Sequence, residues 1–339
     1  MQTGRSMRLV IWAIAGLAAL WSGYWYVAAE AKRSVLERWF EQRREAGWAA
    51  EHQAIRVGGY PYRFDTLLEG LMLADPRRGI VWQAPQLQIL ALSYEPNHVL
   101  VFWPERQSLA TPREAVEIEA GEMQASTVFR PGAALEIDRA TMTLAAVTLQ
   151  SDAGWQAGLE KGLAALRAVE GRANAHDLAI EAQDLLLPAP LRARLDRSGL
   201  LPERIGTLNL RLTAAFDAPL DRRVIEERRP GITDLRLDGL NAVWGRLELR
   251  ATGRVVADAQ GYPEGEIFVR AQNWQEMLAM AVEAGVIGGN MAQVLESGLR
   301  MLARISGNPD TIDAPLTFAG GRVALGPIGL GEAPRLRQP

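Results

Sequence analysis

The chain has 339 residues, enough for one large domain or two smaller ones. Its 37 Lys+Arg nearly balance its 40 Asp+Glu, so neither a basic nucleic-acid surface nor an acidic solvating tail is indicated. It contains no cysteine, which excludes disulfides, thiolate metal sites, a cysteine nucleophile and an N-terminal lipidated cysteine. Only His52, His98 and His176 could supply imidazoles, and they are far apart in the sequence.

Arg5 and Arg8 precede an uncharged run from Leu9 to Ala29. Leu9, Val10, Ile11, Trp12, Ile14, Leu17 and Leu20 make its first half apolar, and its length is about the 20 residues a helix needs to cross the hydrocarbon core. Its second half carries Trp21, Tyr24, Trp25 and Tyr26. Rings with one polar edge settle at the headgroup level, so this cluster reads as an interface belt of a membrane anchor. A cleaved signal peptide is the alternative, with Leu9 to Leu20 as its apolar core and Ala29-Glu30-Ala31 as a small-x-small cleavage site. Residues 1–30 are therefore an anchor or a signal. Either sends the remainder across a membrane. The cations that follow, Lys32, Arg33, Arg38, Arg43 and Arg44, outnumber those that precede and by flank counting favour a cytoplasmic side.

Residues 31–50 read as an amphipathic helical stalk. Val35, Leu36, Trp39 and Phe40 share one face, with Glu37 and Glu41 at helical spacing from arginines. The pattern is that of the anchor helix continuing to Gly47, where a C-cap is expected.

From Ala54 onward, period-two alternation dominates. In 207–216, Leu208, Leu210, Leu212, Ala214 and Phe216 point one way, and Asn209, Arg211 and Thr213 the other. In 246–256, Leu247, Leu249, Ala251 and Val255 oppose Arg246, Glu248, Arg250 and Arg254. Shorter versions occur at Leu87/Ile89/Ala91, Val116/Ile118 and Ala140/Met142/Leu144. Turn residues recur between them: Asp75-Pro76, Glu95-Pro96-Asn97, Arg130-Pro131-Gly132 and Asp217-Ala218-Pro219. One-sided alternation with short links predicts antiparallel pairing. The expected fold class is α+β and mostly antiparallel β. The transmembrane helix leads into a curved, long amphipathic sheet, groove- or sandwich-like, with a few covering helices.

The expected organisation is a β-rich half over 51–150, a second over 151–330, and a tail over 331–339. Helices are predicted at 154–170, 273–285 and 290–306, with a short candidate from Pro190 to Ser198. In the first, Asp152 would cap a stripe of Trp155, Leu159, Leu163 and Leu166. In the second, Asn273 and Glu276 resemble a capping box. Gly288-Gly289 separates it from the third, and a hairpin of Ile312–Phe318 with Arg322–Leu325 closes the chain.

The tripeptide Gly-Tyr-Pro occurs twice, at Gly58-Gly59-Tyr60-Pro61 and at Gly261-Tyr262-Pro263. The first reads as a corner. Glycine admits positive φ and Pro61 restrains its neighbourhood, after which Tyr62 and Phe64 alternate with Arg63 and Asp65. Arg63, between aromatics, is a candidate headgroup contact or an ordinary exposed strand residue. The second reads as a hairpin connection. Three shared residues with different flanks do not make a repeat.

Catalytic templates fail. The chain has no phosphate loop, no Gly-x-Ser-x-Gly and no His-Glu-x-x-His. The glycine-rich Gly326 to Pro334 has no helix after it to receive an anion. No carboxylate pair stands out as a glycosidase dyad. No catalytic, cofactor-binding or metal residue is singled out, and the reading is non-enzymatic.

The stretch Gly-Tyr-Pro-Tyr-Arg-Phe, with Trp82 to Leu87 (WQAPQL) and Tyr94 to His98 (YEPNH) following, resembles the bacterial domain-of-unknown-function family 2125 over nearly the whole chain. Gly245 to Leu278 is similar in style to the closing module of AsmA-like envelope proteins. That resemblance implies an inner-membrane anchor, a periplasmic antiparallel sheet and an association with phospholipid. It favours export over the cation count. The expected function is binding or conducting lipid on an apolar face lined by Leu208, Leu210, Leu212, Leu247 and Leu249. The alternative is an envelope scaffold with a closed core and a protein partner. The partners expected are the membrane, phospholipid or envelope proteins, and no nucleic acid.

Overall fold

A computed structural model of the chain describes residues 3–132, 134–197, 199–221, 230–285, 289–305 and 307–337. The structure is mostly antiparallel strand. It divides into two units: one takes the chain up to Ile118 with Gln124–Ser126, the other takes Glu119–Met123 and everything from Thr127. The division runs through β7 (Ala115–Phe129). Residues 150 and 151, where the two β-rich halves were expected to meet, lie at the end of β8 (Ile137–Ser151), just before its hairpin turn into β9 (Gln156–Ala168).

The first unit begins with α1, one unbroken helix from Thr3 to Glu45, long and apolar enough in its first part to cross a membrane. Anchor and stalk are therefore a single element. It ends as expected at Gly47, whose φ of 87° suits glycine. Trp48 N donates to Arg43 O and Gly47 N to Arg44 O, the double closure of a Schellman cap. Residues 7–20 are exposed all round. Beyond them one stripe turns inward: Trp25, Ala29, Leu36 and Phe40, at helical spacing. Val35 and Trp39, expected on this face, lie exposed beside it.

The stripe rests on β1 (Ala49–Glu51), β2 (Ala54–Gly58), β3 (Arg63–Asp75) and β4 (Ile80–Leu92). β3 is the centre. It pairs with β1 at one end, with β2 at the other, and with β4 along its whole length. Phe40 packs with Ala50, Ile55, Leu68, Leu71 and Ala84, all buried. β4 then pairs with β5 (Glu95–Phe102) and β6 (Arg106–Ala110). The chain turns at Ser93-Tyr94, two residues before the expected Glu95-Pro96-Asn97, because Glu95 already pairs with Leu92.

In the second unit, each strand from β8 onward pairs antiparallel with the next. After β9 come β10 (Ala175–Leu186), β11 (Arg204–Phe216), β12 (Ile232–Trp244), β13 (Leu247–Ala257) and β14 (Pro263–Gln272). β15 (Thr311–Ala319), β16 (Arg322–Leu325) and β17 (Ile328–Glu332) complete it. β15 and β16 are the expected closing hairpin. Part of the expected tail belongs to β17, and beyond it Leu336 N donates to Gly261 O, so the terminus returns over the second Gly-Tyr-Pro turn.

The helix expected at 154–170 is β9 instead. Its leucines matched a 3.6-residue period, but Gly158 and Gly162 weaken a helix by about 1 kcal/mol each. As a strand the segment pairs on both edges. At Gly158 a Cβ would sit 2.4 Å from Val147 O, an approach only glycine permits. The short candidate is α2 (Ala189–Leu195); its expected end at Ser198 lies outside the described residues. The other two helices are α3 (Trp274–Glu283) and α4 (Gly289–Ile305), while the expected break at Gly288 lies outside the described residues. The capping box does not form. Asn273 takes a left-handed conformation, its amide donates to Arg246 O at 2.5 Å, and Glu276 pairs with Arg246 at 2.9 Å.

Asp234 on β12 ties this unit together on its polar side. It accepts two hydrogen bonds from Arg254, at 3.0 and 2.6 Å, and another from Arg172 in the β9–β10 turn. The bond from Arg254 holds the Asp234 carboxyl below the usual carboxylate range against the opposing effect of burial, and Arg172 adds to it. A depressed folded-state pKa stabilises above the unfolded value of about 4 and ceases to do so as pH falls through the folded value. Asp234→Asn should therefore lower the unfolding midpoint at neutral pH and flatten its decline below about pH 4, as followed by thermal unfolding against pH.

Candidate functional site

The first Gly-Tyr-Pro is where α1 meets the sheet. Gly59 has a φ of 94°, and a Cβ there would lie 2.9 Å from Arg63 O. This places the Tyr60-Pro61-Tyr62 corner across the helix at the level of Trp21 to Trp25. The β4–β5 turn lies beside it: Ser93 N donates to Tyr62 O at 2.8 Å and Ser93 Oγ to Pro61 O at 3.0 Å.

The helix supplies donors to these backbone oxygens. Trp21 Nε1 donates to Pro61 O at 3.0 Å, Trp25 Nε1 to Arg63 O at 2.8 Å and Tyr24 OH to Ser93 O at 2.9 Å. Ser22 Oγ and Tyr60 OH lie 2.7 Å apart. The rings pack as well. Trp25 stacks on Phe64 with centroids 5.7 Å apart, meets Tyr60 edge-on at 5.5 Å, and Tyr26 stacks on Tyr60 at 5.9 Å. Such pairs add roughly 0.5–1.5 kcal/mol each beyond area burial. Trp25 is only 4% exposed. It was expected as a belt residue facing headgroups, and the corner covers it instead.

The other expected anchor residues fall as follows. Leu9, Val10, Ile11, Trp12, Ile14, Leu17 and Leu20 are exposed on the free part of α1, and Trp21, Tyr24 and Tyr26 are exposed beside the corner. Arg63 is exposed, with its guanidinium 3.0 Å from Asp65. Four of the cations after the apolar run have partners within the unit: Arg33 pairs with Glu37, and Arg44 Nε donates to Phe40 O. Lys32 lies 5.9 Å from the Phe64 ring, and Arg43 lies over the Trp39 and Trp48 rings.

The five leucines expected to line an apolar face share one side of the second unit. Leu208, Leu210 and Leu212 lie opposite Ala242, Leu240 and Leu237 on β12, and opposite Ala182, Ile180 and Leu178 on β10. Leu249 continues the row past Ala242, and Leu247 lies opposite Trp244. Leu247 is buried; the other four are half-buried. The helices occupy one end of this side. Trp274, Leu295, Leu299 and Ala303 form a core with Ile312, Ala314 and Ile328, against Ala271 and Leu325.

The opposite side of the unit is charged. A depression of about 470 Å³ is lined by Arg139, Arg167, Arg211 and Arg236 with Asp177 and Asp238, together with Leu166, Leu178 and Leu212. Arg211 pairs with Glu181 and Arg236 with Asp238. The histidines sit in separate environments: His52 on the Phe40 ring, His98 2.9 Å from Ser126 Oγ, and His176 buried 3.4 Å from Ile137 O. Among the described residues, no group of three or more His, Asp or Glu could hold a metal.

The corner's dependence on Trp25 is measurable. Trp25→Ala should destabilise the first unit by about 3–5 kcal/mol through the cavity and the lost stacking. Trp25→Phe, which chiefly leaves Arg63 O without its donor, should cost about 1–3 kcal/mol. Denaturant unfolding of the detergent-solubilised chain reads both.

No curated protein and no solved structure matches the chain. A family model does, and it begins at Trp25, the residue on which the corner closes. It covers residues 25–334, nearly all of the two units, and by that coverage the chain belongs to the DUF2125 family, described as an uncharacterized protein conserved in bacteria.

Proposed function

We propose that the protein is a single-pass membrane-anchored protein of the cell envelope, held in the inner membrane by α1 with both units in the periplasm. On this reading, the apolar side of the second unit takes phospholipid acyl chains, in the manner of AsmA-like proteins. One observation carries it. Leu208, Leu210 and Leu212 continue an apolar row across β10, β11 and β12, half-buried, while α3 and α4 build their core on β14 to β17. Apolar area left in water costs about 25 cal/mol per Å², so an acyl chain laid along such a row is stabilised in proportion to what it covers. An uncleaved anchor is supported by the corner. Cleavage after Ala31 would remove Trp25 and Ala29 from a core they share with Phe64.

A second reading is a scaffold whose apolar side meets a protein partner. The helices favour it, since they already close one end of that side with protein.

One experiment in cells separates the two. A photo-crosslinking amino acid replaces Leu210 in the full chain, with Arg211 on the opposite side as control, and adducts are identified by mass spectrometry. Phospholipid adducts at 210 and none at 211 are expected. Protein adducts alone at 210 would establish the scaffold instead. A phosphatase reporter fused after the last residue should be active, and one active only as a cytoplasmic reporter would reverse the orientation.

A further inference from the structure

The exposed apolar surface of α1 does not stop where the corner begins. Leu9 is 68% exposed and Val27 72%, and the first charge after the run is Glu30. At 1.5 Å per residue the stretch from Leu9 to Val27 covers about 28 Å, close to the roughly 30 Å of a hydrocarbon core. The corner binds α1 at Trp21 to Trp25, inside that stretch. If the apolar run fills the bilayer, the corner and the β4–β5 turn beside it lie within the membrane boundary.

The chemistry of the corner agrees with that depth. Irregular backbone is tolerated in a low-dielectric layer only when its polar groups are paired by protein. Here the carbonyls of Gly59, Pro61, Tyr62 and Arg63 all accept hydrogen bonds, as does that of Ser93. Three of these five acceptors receive indole or phenol donors from the helix. The side chains that project outward are interfacial in type. Tyr62 is 67% exposed and Tyr94 65%, with Tyr26, Tyr60 and Tyr24 also exposed alongside. Each has an apolar ring and a polar tip, the form that settles at the headgroup level. Arg63 adds a cation among them.

We propose that the Tyr60-Pro61-Tyr62 corner and the Ser93-Tyr94 turn form a membrane seat. They are inserted into the headgroup–acyl boundary of the leaflet from which α1 emerges, with a lipid bilayer as the partner. The inference rests on the reading that α1 spans a membrane. The seat fixes the first unit against the bilayer at two places besides the helix, and Tyr62 and Tyr94 hydrogen-bond to headgroups while their rings displace water from the acyl boundary.

The absence of cysteine makes the test direct. Tyr62→Cys, Tyr94→Cys, Ala13→Cys and Arg77→Cys variants of the full chain carry a nitroxide, in nanodiscs of phosphatidylethanolamine and phosphatidylglycerol. Ala13 is on the exposed apolar run, and Arg77 is in the turn at the far end of the β3–β4 hairpin. Collision with oxygen, which concentrates in lipid, and with a nickel chelate, which stays in water, reports depth. The expected result is contact with lipid at 13, 62 and 94, with nickel collisions lost and oxygen collisions gained, and an aqueous label at 77. Labels at 62 and 94 that match 77 while 13 is deep would overturn the seat and leave the anchor standing. An aqueous label at 13 would overturn the spanning helix, and the seat with it. Loss of collisions with both reagents at 62 and 94 would mean burial in protein, and would also overturn the seat.

Discussion

The first unit depends on hydrogen bonds that run from helix side chains to the backbone of a sheet corner. Trp21, Tyr24 and Trp25 each donate to a main-chain oxygen, and each brings a ring into the same contact. A backbone oxygen left unpaired away from water costs about 1–3 kcal/mol, so the donors from Trp25 and Tyr24 stabilise the corner's seat on α1, while Pro61 O also accepts from Ser93 Oγ. The tight φ at Gly59 aims the oxygens, and the buried stripe from Ala29 to Phe40 carries the same helix face onward over β1 to β4. The indole and phenol groups therefore do two things with one residue. They satisfy polar backbone and supply apolar area.

In the second unit the governing constraint is the register of successive antiparallel strands. Once Leu210 lies opposite both Ile180 and Leu240, period two places Leu178 and Ala182 of β10, Leu208 and Leu212 of β11 and Leu237 and Ala242 of β12 on the same side. Charges go to the other side, where Asp234, Arg254 and Arg172 join three neighbouring segments. The pairing of β12 with both neighbours shifts near Asp238 and Gly239, which locally breaks the ladder without reversing the sides, since Leu240 again faces Leu210.

Much of this was legible in the residues. Alternation located β11 and β13 and placed Leu208, Leu210, Leu212, Leu247 and Leu249 on one side, because period two is a local property. The end of α1 was legible for the same reason, since a glycine C-cap is set by its immediate neighbours. The misreadings had non-local causes. Trp155, Leu159, Leu163 and Leu166 fit a helical stripe, and only the neighbours β8 and β10 make that segment a strand. Asn273 and Glu276 have the spacing of a capping box, but Arg246 on another segment takes both side chains. The corner was read from its glycine and proline. Its partner was not, because the donors lie 38 to 69 residues away from the oxygens they reach.

The unbroken length of α1 has a mechanical consequence. A 43-residue helix is a rod of about 65 Å without a hinge, and the corner and the core both grip it on one side. Bilayers of different thickness change the tilt of a spanning helix. With no joint between the free apolar run and the gripped part, a lean imposed by lipid thickness becomes a lean of the first unit, and the membrane's depth is converted into an angle.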